Sequence, residues 1–283
     1  MNFNDIFEEI KNSPDKHPRG CEDYKKIESK LLEVIKKSGF VSGGSGNDNY
    51  GPFGEISLPY FKMGAIDSLD LFGLDEMIIF SYYFNNRNRY KKVSDLGANI
   101  GLHSILMSKS GYEIEAYEPD PRHIEIIEKN FKLNSVDSVN LNRVAVSNVE
   151  HKTQFVRVLG NTTSSHISGA KDNAYGDLET FEVNVVSAKE IFKNSDLIKM
   201  DVEGEEAKII SSTSKEDWEN VDMVMEVGTE RNRNVIYDHL KSIDVNMFSQ
   251  KNAWKKVKDV DDVPASYKEG SLFVSRDNQM LWS

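Results

Sequence analysis

The amino-acid sequence predicts an α/β protein built around a doubly wound, mostly parallel sheet. From residue 92 onward, short apolar runs typical of buried strands alternate with segments that carry apolar residues at helical spacing. A glycine-containing turn joins the first of these runs to its helix, and two later runs end in carboxylates. Strand–helix alternation over this length is typical of open α/β sheets.

The composition of the 283-residue chain, with 39% hydrophobic and 29% charged residues, suits a soluble globular enzyme rather than a disordered or membrane chain. A net charge of −11 disfavours binding to a nucleic-acid phosphate backbone. Cys21 is the single cysteine, which excludes an intrachain disulfide and a thiolate metal cluster. The first residues lack a secretory-signal pattern, and no apolar run approaches the roughly 20 residues of a membrane span. We therefore expect a cytoplasmic protein without a membrane span.

The first 90 residues are predicted to form an N-terminal extension or cap that contains helices and a β-hairpin. Apolar residues recur at helical spacing over 22–37, and a further helix follows Asp67 or Ser68. Six glycines between residues 39 and 54 indicate either a mobile loop or a lid over a site. Residues 55–63 alternate weakly and predict one or two short strands.

The remaining residues, 91–283, carry the predicted sheet. Five strands are predicted at 93–96, 113–118, 139–146, 196–201 and 221–227, and late strands at 245–248 and 271–275. The helices between them are predicted at 100–110, 122–133, 205–211 and 232–243. Two further β-like runs, 153–159 and 181–186, flank a loop rich in serine, threonine and glycine.

The turn after the first strand has the form Asp95-x-Gly97-x-x-x-Gly101. Its glycines permit a tight turn and a close ligand, and ligands of open α/β sheets lie beyond the carboxyl ends of the strands. The spacing differs from the Gly-x-Gly-x-x-Gly pattern that seats a pyrophosphate. A carboxylate before the first glycine suits a ligand with a cationic end, such as the amino-acid part of S-adenosylmethionine. A plain strand–turn–helix corner is the alternative.

Glu118 ends the second strand, 118 − 95 = 23 residues after Asp95. An acidic residue at this place in nucleotide-binding sheets accepts hydrogen bonds from the ribose hydroxyls. A carboxylate suits this task because charge-assisted hydrogen bonds are stronger than neutral ones. A surface glutamate before a turn is the alternative, and strand position together with spacing favours the ligand-binding interpretation.

The segment Ile198-Lys-Met-Asp-Val-Glu-Gly-Glu205 places Asp201 at a strand end, with Glu203 and Gly204 close behind. Several carboxylates around one strand end repel one another, which costs free energy unless they bind a cation or share protons. Enrichment of acids at a helix N-terminus explains Glu205 and Glu206 but not Asp201, which precedes the turn.

The turn Asp95–Gly101 and the segment Ile198–Glu205 together resemble motifs of the FkbM family of S-adenosylmethionine-dependent methyltransferases. The resemblance covers roughly residues 90–230. The resemblance extends to Asn142–Ser147, on the adenine side, and to the acid of Met225-Glu226-Val227. It implies a seven-stranded, Rossmann-like class I fold for 91–283 and O-methyl transfer, often to sugar hydroxyls of natural products or glycans. The acceptor is expected to be a small molecule or glycan, with S-adenosylmethionine as donor and without nucleic acid as partner.

The resemblance also assigns roles along the cofactor site. Asp95 is expected to hold the turn and face the amino group of the donor, Asn99 to cap the helix or bind the ligand, and Glu118 to bind the ribose. Gly97, Ala98 and Gly101 are expected to line the methionine end of the donor. Pro119 and Asp120 are expected to flank the ribose, and Val144 and Ala145 to border the adenine. Asp201 is expected to face the methyl group and the acceptor.

A hydroxyl acceptor benefits from a general base or a metal. The candidate bases are Asp201, Glu203, Glu226, Lys199 and His166, of which Lys199 is better explained as structural. Asp201, Glu203 and Glu226 could form an oxygen-rich magnesium site, whereas no His or Cys spacing supports a transition metal. Two other functions stay open: a nucleic-acid 2′-O or base methyltransferase, and a non-catalytic binding domain that retains the fold.

Overall fold

The computed structural model describes residues 1–171 and 176–282. The helices of these residues are α1 (Phe3–Ile10), α2 (Glu22–Ile35), α3 (Leu74–Asn85), α4 (Leu102–Lys109), α5 (Pro121–Leu133), α6 (Ala188–Asn194), α7 (Glu206–Ser211) and α8 (Glu230–Ser242). The strands are β1 (Asn47–Asn49), β2 (Glu55–Ser57), β3 (Lys92–Leu96), β4 (Glu113–Tyr117), β5 (Val139–Asn142), β6 (Ala145–Ser147), β7 (His151–Val158), β8 (His166–Ile167), β9 (Leu178–Ser187), β10 (Leu197–Met200), β11 (Asp222–Met225), β12 (Asn246–Ser249), β13 (Lys255–Lys256) and β14 (Leu272–Ser275).

The main sheet confirms the α/β class and the doubly wound order. Its strands lie in the order β13-β12-β14-β11-β10-β3-β4-β5, and β11, β10, β3, β4 and β5 are mutually parallel. Strand β14 is antiparallel to both β11 and β12. The expected number of seven strands is wrong for the described residues, because the short strand β13 adds an eighth strand beside β12.

The parallel strands end level with one another. Leu96, the last residue of β3, pairs in register with Tyr117 of β4 and with Met200 of β10, and Met200 pairs with Met225 of β11. The turns that follow these four strands therefore meet at one edge of the sheet, where ligands of open α/β sheets lie.

The predicted third strand, 139–146, is in fact two strands in different sheets. Strand β5 pairs with β4, whereas β6 leaves the main sheet and pairs with β9. The two β-like runs predicted at 153–159 and 181–186 are β7 and β9, which pair over eight residues and form a second sheet of order β6-β9-β7-β8. Residues 172–175 of the predicted loop between them lie outside the described residues.

The N-terminal residues pack into the same hydrophobic core as one face of the main sheet. Three helices, α1 to α3, and the antiparallel pair β1–β2 belong to residues 1–90. Phe3, Phe72 and Phe80 from this region join a cluster that includes Val93 of β3 and Ile105 of α4. The division of the chain near residue 90 stays a prediction. No helix of the described residues is long and apolar enough to cross a membrane.

Candidate active site

An open cavity, with about 610 Å³ of empty space that includes its solvent-filled mouth, lies at the edge where the parallel strands end. The residues that line it come from the turns after β3, β4 and β10, from the start of β6 and from the second sheet, and they are Gly97, Asn99, Tyr117, Glu118, Pro119, His123, Val144, Ala145, Val146, Phe155, Thr162, Thr163, Ser165, Ile167, Asp201, Val202 and Glu203.

Hydrogen bonds fix most backbone polar groups of the turn after β3. The N–H groups of Gly97 and Ala98 both donate to the carbonyl of Tyr117, at 3.0 Å each. The carbonyl of Ala98 accepts from the N–H of Gly101 at 2.8 Å, and that of Ile100 accepts from the Asn130 side chain at 2.8 Å. The turn therefore has a fixed shape, which suits a ligand that contacts its backbone closely.

Asn99 faces the cavity in a left-handed conformation, with φ 55°. Its N–H donates to Glu118 Oε2 at 2.9 Å. Its own side-chain Oδ1 is buried and has no hydrogen-bond partner among the residues that the structure describes. Because a buried polar atom is normally satisfied, this oxygen indicates that a ligand with a hydrogen-bond donor belongs here.

Glu118 is 5% exposed and lines the cavity, as predicted from its strand position. Its Oε1 accepts from the N–H of Asp120 and its Oε2 from that of Asn99, both at 2.9 Å. Burial raises the pKa of Glu118 to about 8, although these two N–H groups act in the opposite direction. Each oxygen retains a lone pair for a ligand hydroxyl.

Asp201 and Glu203 enter the cavity from the loop after β10. Glu203 has φ 53° and forms an ion pair with Lys171, which follows the second sheet's hairpin strand β8. Burial and the neighbouring carboxylate of Asp201 raise the pKa of Glu203 to about 8, against the opposing charge of Lys171. A carboxylate with a pKa near neutrality is suited to accept a proton during catalysis.

Three residues predicted to contact the methionine end of the donor do not line the cavity and lie behind the turn. Asp95 is fully buried, accepts from Ser104 Oγ at 2.6 Å and lies 3.5 Å from Lys199 Nζ. It does not line the cavity, and its role in holding the turn stays a prediction. Ala98 is 4% exposed in the core, and Gly101 packs against the ring of Phe131.

Asp120 also lies outside the cavity lining. Its Oδ2 accepts from Arg157 Nε at 2.7 Å and its Oδ1 from the N–H of Arg122 at 2.8 Å. The carboxylate thus caps α5 and ties it to the second sheet. Pro119, Val144 and Ala145 do line the cavity, and their contacts with the ribose and the adenine stay predictions.

Two of the four predicted catalytic residues are likewise outside the cavity lining. His166 is 2% exposed within the second sheet, and its Nδ1 lies 2.8 Å from the carbonyl of Ser164. Burial lowers the pKa of His166, which favours the neutral ring. Glu226 follows β11, and burial together with Asp201 and Glu203 raises its pKa well above the ordinary range.

The second sheet supplies one wall of the cavity, from a segment that the sequence indicated only as a loop that could cover the site. Thr162, Thr163 and Ser165 give it hydroxyl groups, and Phe155 and Ile167 give it apolar surface. The Ser/Thr-rich composition of the loop was the available signal. The position of this loop beside the cavity depends on the order β6-β9-β7-β8 of the second sheet, which the local sequence does not indicate.

His123 is another cavity residue that the sequence did not single out. Its Nε2 lies 3.0 Å from Thr162 Oγ1, and its Nδ1 lies 3.9 Å from Glu118 Oε1. Burial lowers the pKa of His123. The ring thus connects the hydroxyl wall to the glutamate at the end of β4.

The proposed magnesium site at Asp201, Glu203 and Glu226 is not supported. Among the described residues, no group of three or more His, Cys, Asp or Glu side chains is arranged to hold a metal ion.

A comparison with models of protein families matches residues 95–262 to the Methyltransferase FkbM domain. This match covers more than half of the chain and includes both glycine and acidic motifs. The chain belongs to the FkbM methyltransferase family. The family resemblance seen in the sequence is thereby confirmed, and no curated protein sequence matches the chain.

Three methyltransferases are among the solved structures to which this FkbM-family chain is similar. They are StiE O-MT (12% identity, TM-score 0.34, 61% of this chain and 53% of that chain), a SAM-dependent methyltransferase from Agrobacterium tumefaciens (9%, 0.38, 72% and 62%) and an O-methyltransferase from Bacillus cereus in complex with SAH (8%, 0.38, 69% and 78%). The chain thus spans less than two thirds of the StiE and Agrobacterium chains.

Proposed function

We propose that this protein transfers a methyl group from S-adenosylmethionine to a hydroxyl oxygen of a sugar, a glycan precursor or a related small metabolite. The observation that carries the proposal is the shared cavity in which Glu118, at the end of β4, meets Asp201 and Glu203, after β10. A ribose-binding acid and a pair of candidate proton acceptors thereby line the same space, in a chain of the FkbM methyltransferase family.

The donor half of the cavity fits an adenosyl ligand without phosphates. Glu118 offers two acceptor oxygens for ribose hydroxyls, and Val144 and Ala145 offer apolar surface for the adenine. The unpartnered Oδ1 of Asn99 suits an N–H donor such as the ammonium of the methionine part. Carboxylates in place of cationic side chains also agree with a ligand whose reactive end is positive.

When bound, S-adenosylmethionine supplies an electrophilic methyl group on a sulfonium. The chain must hold the acceptor oxygen in line with it and receive the hydroxyl proton, and alignment alone contributes several kcal/mol. Glu203 is the proposed base because it lines the cavity and has a pKa near neutrality. Asp201 lies beside it and raises its pKa, while Lys171 limits that rise.

The proposed acceptor class follows from charge. With a net charge of −11 and acidic residues at the reactive end, the protein attracts polyanions poorly. A neutral hydroxyl compound is favoured over RNA or DNA, which remains the second enzymatic candidate. A non-catalytic domain is disfavoured by the retained Glu118, Asp201 and Glu203.

Calorimetry with S-adenosylmethionine and S-adenosylhomocysteine tests the donor site. Wild type is expected to bind both, and Glu118→Ala to bind at least ten-fold more weakly, because two charge-assisted hydrogen bonds are lost. Glu113→Ala, an exposed glutamate at the start of the same strand, serves as the matched control. No binding by wild type, or equal binding by wild type and Glu118→Ala, would contradict the proposal.

Release of S-adenosylhomocysteine in the presence of acceptor panels tests the reaction. We expect turnover with neutral sugars, glycans or related hydroxyl metabolites, and loss of turnover in Glu203→Gln with donor binding retained. Turnover only with RNA or DNA oligonucleotides would establish the second candidate. Donor binding without turnover, and without space for an acceptor beside the methyl group in a donor complex, would establish a binding domain.

A further inference from the structure

Lys199 is a buried cation directly beneath the turn that follows β3. It is only 8% exposed, because β10 lies in the middle of the main sheet. Lysine is rarely buried unless its charge is paired. Lys199 of β10 and Asp95 of β3 are in-register neighbours, so their side chains project from the same face of the sheet.

The ammonium group has two partners. Nζ donates to the backbone carbonyl of Gly97 at 2.9 Å and lies 3.5 Å from Asp95 Oδ1. Among the described residues this Oδ1 accepts no hydrogen bond, since Ser104 is bound to Oδ2, so the ion pair with Lys199 is its main compensation. Burial alone would lower the pKa of Lys199, but the carboxylates of Asp95, Asp201 and Glu76 raise it above its ordinary value.

The contact with Gly97 reaches a residue that lines the cavity. Gly97 donates its N–H to the carbonyl of Tyr117, so the Lys199 ammonium holds the other polar group of the same residue. The next cavity residue along the turn is Asn99, whose N–H is bonded to Glu118. A displaced Gly97 carbonyl would therefore disturb the ribose-binding glutamate as well.

We propose that Lys199 is a positioning residue of the donor site, which sets the shape of the turn through its hydrogen bond to the Gly97 carbonyl. This inference rests on the proposed function, because the donor defines the site. A structural role limited to neutralising Asp95 is the competing explanation. The two explanations predict different donor affinities for a variant that lacks both the Lys199 and the Asp95 charge.

The test is a double-mutant cycle with S-adenosylhomocysteine as the probe, using Lys199→Met, Asp95→Asn and the double variant. Lys199→Met is expected to bind at least ten-fold more weakly, a difference of about 1.4 kcal/mol, and to lose stability because Asp95 is left buried and unpaired. The double variant is expected to regain stability in urea unfolding yet to bind at least ten-fold more weakly than Asp95→Asn. If Lys199→Met does not fold, this comparison still decides the question.

Two further variants sharpen the result. Lys199→Arg retains the charge and the N–H donors, and we expect it to recover most of the affinity that Lys199→Met loses. Lys193→Met, at an exposed lysine of α6, is the matched control and should bind as wild type does. A double variant that binds as tightly as Asp95→Asn would overturn the proposal while leaving the donor site established. A wild type that fails to bind would instead overturn the proposed function.

Discussion

The backbone carbonyl of Asp201 occupies the place where a side chain on Gly97 would have to lie. An ideal Cβ on Gly97 would stand 1.9 Å from that oxygen, and Gly97 has φ +80°. The turn after β3 and the acidic loop after β10 are thus in direct backbone contact. The glycine joins the donor half of the site to the half that carries the candidate base.

We expect Gly97→Ala to abolish binding of S-adenosylhomocysteine and to destabilise the protein by more than about 2 kcal/mol, because the clash is with backbone and adds to the strain of a positive φ. Gly111→Ala is the control, since Gly111 has φ +92° but open space around it. It should cost only about 1–2 kcal/mol in urea unfolding and leave binding intact. Equal losses of stability in the two variants would show that the contact with Asp201 is unimportant.

The N-terminal residues touch the hydroxyl wall of the cavity through a second glycine. Gly64 has φ +97°, and a Cβ on it would stand 2.2 Å from the carbonyl oxygen of Gly160. The backbone N–H groups of Ala65 and Thr162 bond across this contact, to Gly160 and Met63 respectively. Thr162 in turn lines the cavity.

Gly64→Ala is therefore expected to weaken binding of S-adenosylhomocysteine on the order of ten-fold by displacing the wall, although residue 64 is outside the cavity. Gly160→Ala tests the opposite side of the same contact, and no atom of the described residues lies within 4 Å of a Cβ there. It should bind normally in calorimetry. If Gly64→Ala binds as well as Gly160→Ala, residues 1–90 do not support the donor site.

Donor affinity is expected to depend on pH through Glu118. Its pKa is raised by burial to about 8, so a large fraction of the carboxyl is neutral at pH 6.5. Ribose hydroxyls bind the ionised form better, so binding lowers the pKa and releases a proton. The affinity for S-adenosylhomocysteine should rise on the order of ten-fold between pH 6.5 and 8.5. The same rise in Glu118→Gln would assign the titration to another group.

The pH dependence of turnover is expected to report Glu203. The base must be ionised, so kcat should rise with pH through a value near 8. Lys171 holds the pKa of Glu203 down, so Lys171→Met should move the midpoint to higher pH by about one unit. Lys171→Arg retains the charge and should leave the midpoint in place. An unchanged profile in Lys171→Met would argue against Glu203 as the base.

The sequence by itself determined the α/β class, the family, and the cavity positions of Gly97, Asn99, Glu118 and Asp201. The physical reason is that consecutive parallel strands end at the same edge of a sheet, so residues at strand ends converge there whatever lies between them. The order of strands and turns along the chain was sufficient to find that edge.

Tertiary structure alone decided which side chains near that edge face the cavity. Asp95 and Asp120 are one or two residues from cavity residues, yet Lys199 and Arg157 hold them behind the surface. The hydroxyl wall depends on the pairing of β7 with β9, and its support by Gly64 depends on a contact between segments nearly 100 residues apart. Such contacts arise from packing and hydrogen bonds between distant segments, which no local pattern encodes.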